Sequence, residues 1–177
     1  MRAAWLLIEV PYLKRFRICG KQDWDKHSGR LWDFANALEP IGLFLAYLGV
    51  GLLPNLLYSI RFAGLLILVT GVAIRWTAII QLGRFFNSTV TIHPDHRIVQ
   101  TGLYSLIRHP AYAGALVAHA GLGLAFGSWV SMLMSTVPFL IAAVYRMNVE
   151  EEALRRSLGQ EYLTYQDRTY RLVPKVY

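Results

Sequence analysis

The sequence predicts an all-α integral membrane protein with four to five transmembrane helices. Three observations lead there: 55% of the 177 residues are hydrophobic, only 16% are charged, and the apolar residues gather into long blocks rather than being dispersed. A soluble chain of this size has too little polar sequence to wrap such blocks.

The elements are taken in chain order. Residues 1–13 are apolar but shorter than the ~20 residues that cross a ~30 Å hydrocarbon core, and they carry Glu9 and no small-residue cleavage site. They fit either the end of a further transmembrane helix or a short interfacial one. Up to residue 39 runs a basic amphipathic lead containing Lys14, Arg15, Arg17, Lys21, Lys26 and Arg30. Residues 40–60 carry no charge and 62–83 only Arg75, which predicts a helical hairpin over 40–83. A polar loop follows over 84–109. Its stretch 86–92 alternates and is rich in β-branched residues, which suggests extended chain, and His93-Pro94-Asp95 closes it as a turn. Residues 110–145 are again uncharged apart from His119, long enough for two spans turning near Gly127-Ser128, so a second hairpin is expected over 110–147. In the tail, 148–177, a helix continues out of the last span and Gly159 stops it. The whole is one membrane domain without an internal repeat.

The net charge of +7 collects in the lead, the 84–109 loop and the tail, while the remaining connections are short and nearly uncharged. The positive-inside rule places those three segments together on the cytoplasmic side of an inner or plasma membrane, for a prokaryotic protein. Because the charges flank membrane spans, attraction to lipid headgroups explains them and a nucleic-acid partner is not expected. The lone Cys19 rules out an internal disulfide and a cysteine-cluster metal site. His93 and His96 have no third ligand at a suitable interval, so no metal is expected. His119 lies mid-span, where a proton relay is conceivable, but with no ionisable neighbour it reads as a neutral side chain bonded to an adjacent helix. Gly121, Gly123 and Gly127 read as small-residue helix packing.

Two groups of residues could carry chemistry. From His96 to Gly114 the chain is dense in polar and aromatic groups just before a span, and Pro110 suits the first turn of its helix. Arg108, His109, Tyr104 and Tyr112 can be membrane-interface anchors; equally, free N–H groups at the helix start beside small Ala111 and Gly114 suit a bound carboxylate. Later, Arg146 and Glu150 share a helix face where the last span leaves the hydrocarbon, a costly place for an idle charge. Glu151 and Glu152 have Arg155 and Arg156 four residues on, and read as a solvated face.

Between about residues 85 and 174 the sequence resembles the integral-membrane isoprenylcysteine carboxyl methyltransferases, in a short prokaryotic form, and more distantly the phospholipid N-methyltransferases. The resemblance rests on His96-Arg97-Ile98-Val99, Thr101-Gly102-Leu103-Tyr104, Arg108-His109-Pro110-Ala111-Tyr112-Ala113-Gly114, Arg146 ahead of Glu150-Glu151-Glu152, Gly159-Gln160-Glu161-Tyr162 and Arg171-Leu172-Val173-Pro174, in that order. It implies S-adenosyl-L-methionine as cofactor, in a cytoplasmic site built from the 84–109 loop and the tail. It implies cofactor contacts at His96, Arg97, Ile98, Val99, Tyr104, His109, Pro110, Ala111, Tyr112 and Glu150, with Arg146 turned to the substrate. The acceptor it implies is lipophilic, an isoprenylcysteine-like carboxylate first, with a phospholipid amine as the alternative. A non-catalytic membrane protein and a sterol-type reductase are the rival readings, and no feature of the first half of the chain matches a prenyl-group site.

Overall fold

The structure is a computed structural model that describes residues 28–53, 57–86 and 97–176. The expectations for residues 1–13, Cys19, most of the 86–92 stretch, the His93-Pro94-Asp95 turn and His96 lie outside the described residues. The described chain is helical: α1 Ser28–Tyr47, α2 Leu57–Leu82, α3 Pro110–Ala125, α4 Trp129–Leu158 and α5 Gln160–Arg168, with short 3-10 turns at Gly83–Phe85 and Gly102–Ser105. Among the described residues, two helical stretches, Tyr58–Phe85 and Trp129–Leu158, are long and apolar enough to cross a membrane.

Hydropathy alone misplaces the first hairpin. The uncharged run 40–60 is not one helix: α1 starts at Ser28, within the charged lead, and ends at Tyr47. Gly49 and Gly51 then take φ of +87° and +69°, a left-handed region in which a helix cannot continue. The second turn falls where the sequence puts it. Gly127 has φ +70°, and the Ser128 hydroxyl caps α4 by accepting from Ser131 N–H. The two turns are laced together at one end of the molecule: Ser128 Oγ donates to Val50 O at 2.8 Å, Trp129 N to Gly51 O and Leu53 N to Gly127 O.

The tightest packing is between α2 and α3, which run antiparallel. Gly64 meets Ala125, Leu68 meets Gly121, Gly71 meets Ala118, Arg75 meets Gly114, and Ala78 packs with Ala111. The spacing alternates four and three residues on both helices, the period of a coiled-coil seam, but filled with glycine and alanine. A Cβ on Gly64, Gly71 or Gly121 would lie 2.3 Å from opposing backbone nitrogen, so these helices touch backbone to backbone. Large apolar side chains on the outer faces, among them Phe62, Leu65, Leu66 and Val69 of α2 and Val137, Leu140 and Ile141 of α4, are left exposed, as a lipid-facing surface requires. α1 and α3 both lie against α4, the first over Gly42 and Met134, the second over Gly123 and Met132.

Candidate active site

At the end of the bundle away from the turns, the start of α3 and the end of α4 converge. Pro110 occupies the first turn of α3, as its missing N–H and fixed φ favour. The residues before it are held by the tail in strand-like fashion: Arg108 N donates to Tyr170 O at 2.8 Å, His109 N to Arg171 O at 3.1 Å, and Tyr170 N to Leu106 O at 3.1 Å. One turn into α3, the Tyr112 hydroxyl donates to Glu150 Oε1 at 2.5 Å. Arg146 Nε lies 3.4 Å from the same oxygen, one helical turn back, and His109 Nδ1 lies 3.7 Å from Glu150 Oε2. The sequence-predicted Arg146, Glu150, Tyr112 and His109 are therefore one cluster. Trp32 of α1 closes it, its ring 5.7 Å from the Arg146 guanidinium carbon and 5.8 Å from the Tyr112 ring. Arg146 is 6% exposed and Glu150 23%, so the carboxylate is the more open of the two.

The other expected residues are placed differently. Pro110 and Ala111 are buried at the helix start, and Ala111 O accepts from Arg75 Nη1 at 3.3 Å. Tyr104 is buried against Ala78 and Ala111, with Val99 packed on the same cluster. Burial pushes its phenol well above the usual range, with the neighbouring Tyr165 and the Glu150 carboxylate adding to the effect. Arg97 is exposed and Ile98 half-buried, and among the described contacts no hydrogen bond or ion pair joins either to Glu150.

Two sequence readings are corrected here. Glu151 is not on a solvated face. Its side chain is 4% exposed, and Oε1 lies 3.1 Å from Arg108 Nε, 3.1 Å from His109 Nε2 and 3.2 Å from Arg171 Nε. Oε2 lies 3.4 Å from Arg155 Nη2 and accepts from Gln166 Nε2 at 3.3 Å. Arg108 is accordingly no membrane anchor: it also donates to the carbonyls of Gln166 and Thr169. Glu151 was readable from the stripe Phe139, Ala143, Met147, which it extends by one turn and whose members are all buried. Glu152, by contrast, pairs with Arg156 on an open face, as expected. The second correction concerns His119, whose Nδ1 lies 3.1 Å from Glu39 Oε2 on α1, so it does have an ionisable neighbour.

The cluster offers a carboxylate, an imidazole, a phenol and a guanidinium at one end of the bundle. That donor set suits a zwitterionic ligand, with Glu150 for an ammonium or hydroxyl and the arginine fork for a second carboxylate. Residues 64–156, which include all of it, match the model of the isoprenylcysteine carboxyl methyltransferase (ICMT) family. The chain belongs to this family. ICMT-family relatives include a probable protein-S-isoprenylcysteine O-methyltransferase of Oryza sativa, 29% identical over 119 residues, 66% of this chain and 62% of the relative. Protein-S-isoprenylcysteine O-methyltransferase B of Arabidopsis thaliana is 31% identical over 64% of this chain and 58% of its own length. A Pseudomonas methanethiol S-methyltransferase is 40% identical over 74 residues, 41% of this chain and 27% of the relative. The solved structure of a eukaryotic intramembrane Ras methyltransferase, ICMT, superposes with TM-score 0.69 at 25% identity, over 82% of this chain and 52% of that one. The chain thus spans about 60% of the length of the plant ICMT relatives it matches.

Proposed function

We propose that this chain transfers a methyl group from S-adenosyl-L-methionine to the carboxylate of a lipophilic, isoprenylcysteine-like acceptor. The reaction takes place at the cytoplasmic face of a multi-pass domain with four to five membrane crossings. The observation that carries the reading is the Arg146, Glu150, Tyr112, His109 cluster, set at one end of an apolar bundle inside the segment that matches the family.

S-adenosyl-L-methionine supplies an already electrophilic methyl, and an acceptor carboxylate is ionised near neutrality, so the protein has to align the two rather than move a proton. Arg146 orients the acceptor carboxylate through its planar fork, held at the right angle by Glu150 and by the Trp32 ring. Glu150, beside His109 Nδ1, would hold the cofactor's ammonium or a hydroxyl, and the His109 imidazole and the start of α3 would hold its carboxylate end. Tyr112 fixes the Glu150 rotamer and offers a ring to the cofactor. A base-labile methyl ester on an S-prenylated cysteine, formed from labelled S-adenosyl-L-methionine by the purified protein, is the expected product. A base-stable label on an amine headgroup would overturn the carboxylate assignment.

The relative named as a methanethiol S-methyltransferase favours a second reading, in which a thiol is the acceptor. The same assay with a free thiol offered as acceptor decides it: the label then resides in a methyl thioether, and Arg146→Ala leaves turnover largely intact because no carboxylate has to be held.

A further inference from the structure

Arg75 is the one charge in the stretch 62–83, and methyl transfer as proposed gives it no part. It lies on α2, inside one of the two stretches long and apolar enough to cross a membrane, and only 8% of it is exposed. An ionised group in such a place is costly, and where one is kept it marks a binding position.

The direction of the side chain points the same way. Side chains on a helix lean toward its N-terminus, which for α2 is the end of the bundle away from the site. The Arg75 backbone lies against Gly114, yet Nη1 donates to Ala111 O at 3.3 Å, nearly a turn of α3 closer to the site. A snorkelling arginine takes its head group to water. Arg75 instead ends inside, beside the cluster of Ala78, Ala111 and Tyr104.

There it meets the electrostatics of the site. Burial is the main cause that raises the Tyr104 phenol; Tyr165 and the Glu150 carboxylate add to it, and the Arg75 guanidinium opposes it. An anion and a cation therefore act on one buried hydroxyl from different helices, Glu150 from α4 and Arg75 from α2. Arg75 is no more enclosed than His109 or Arg146.

We propose that Arg75 is a cofactor-binding residue that holds the α-carboxylate of S-adenosyl-L-methionine while Glu150 holds its α-ammonium. The inference rests on the methyltransferase reading and deepens it. An α-amino acid carries both charges on one carbon, so its partners have to act around one point, as Glu150 and Arg75 do around the Tyr104 hydroxyl. A guanidinium matches a carboxylate with two parallel N–H bonds and keeps its charge when buried. Arg146, beside Trp32, is left for the acceptor carboxylate.

The test compares two ligands that differ by this carboxylate alone: S-adenosyl-L-methionine and its decarboxylated form, which keeps the adenosine, the sulfonium and the amine. Each is titrated calorimetrically into the detergent-purified protein, which reads affinity apart from turnover. Wild type is expected to bind the carboxylated ligand roughly tenfold more tightly, the effect of a hydrogen bond between charged groups. Arg75→Met is expected to weaken that ligand by the same factor and to leave the decarboxylated one within about twofold, so that the preference disappears. Arg75→Lys keeps the charge without the fork and is expected to retain part of the preference. An equal loss for both ligands makes Arg75 a structural tie between α2 and α3 and overturns the proposal. Equal binding of the two ligands by wild type overturns it too, as does an undiminished preference in Arg75→Met or, should that variant not fold, in Arg75→Lys. Failure of wild type to bind S-adenosyl-L-methionine at all overturns the methyltransferase reading itself, a result distinct from binding without preference.

Discussion

Two carboxylates one residue apart on α4 belong to different regions of the molecule. Glu150 faces Tyr112, Arg146 and His109 and is 23% exposed; Glu151, about 100° further round the helix, is 4% exposed and gathers Arg108, His109, Arg171, Arg155 and Gln166. The first region is open at one side, as a ligand site has to be. The second is closed, ties the start of α3 to α5 and the tail, and leaves nothing for a ligand. His109 is the joint between them, one ring nitrogen toward each carboxylate. The difference teaches that charge density alone does not mark the site: the buried cluster is architecture, and the half-open one beside it is the candidate for chemistry.

The comparison is broken most strongly at Glu151. Glu151→Ala leaves Arg108, His109 and Arg171 buried without their shared partner, and a loss of about 3–5 kcal/mol is expected on breaking such a network. Thermal unfolding in detergent checks this, with cofactor binding lost only as a consequence of the displaced tail. Arg146→Ala is expected to lower turnover at least a hundredfold, about 2.7 kcal/mol of transition-state stabilisation, with cofactor affinity changed within a few-fold. Glu150→Gln keeps shape and loses charge, and a roughly tenfold weaker cofactor Kd, about 1.4 kcal/mol, is expected with little change in unfolding temperature. Tyr165→Phe removes the hydrogen bond from its hydroxyl to Tyr104 O at 2.7 Å. Burial raises this phenol to about 12, more than the Arg108 charge lowers it, so it stays a donor through the working range, and its removal costs about 1 kcal/mol in unfolding measurements. Glu152→Ala, on the open face, sharpens the contrast by changing stability less than about 0.5 kcal/mol.

Much of this was legible in the sequence. The apolar blocks, the turn at Gly127-Ser128 and the stop at Gly159 follow from composition and glycine chemistry, and Arg146 with Glu150 follows from helical spacing. What was not legible depended on tertiary pairing. The charges of α1 hid a helix start, since Arg30, Asp33 and Glu39 read as lead rather than span. Glu151 had an exposed-face partner in Arg155, and only its register with the buried stripe distinguishes it. Glu39 and His119 are far apart in sequence, and no local pattern pairs them. For Tyr104 the resemblance implies a cofactor contact, and no local pattern tells that it packs over Ala78 and Ala111 in the fold.

The most direct measurement is calorimetric titration of S-adenosyl-L-methionine into wild type, Glu150→Ala and Arg146→Ala, each first shown to be folded by its unfolding transition. The account predicts saturable binding to wild type, marked weakening in Glu150→Ala and near wild-type affinity in Arg146→Ala. Loss of binding in Arg146→Ala with Glu150→Ala unaffected would contradict it.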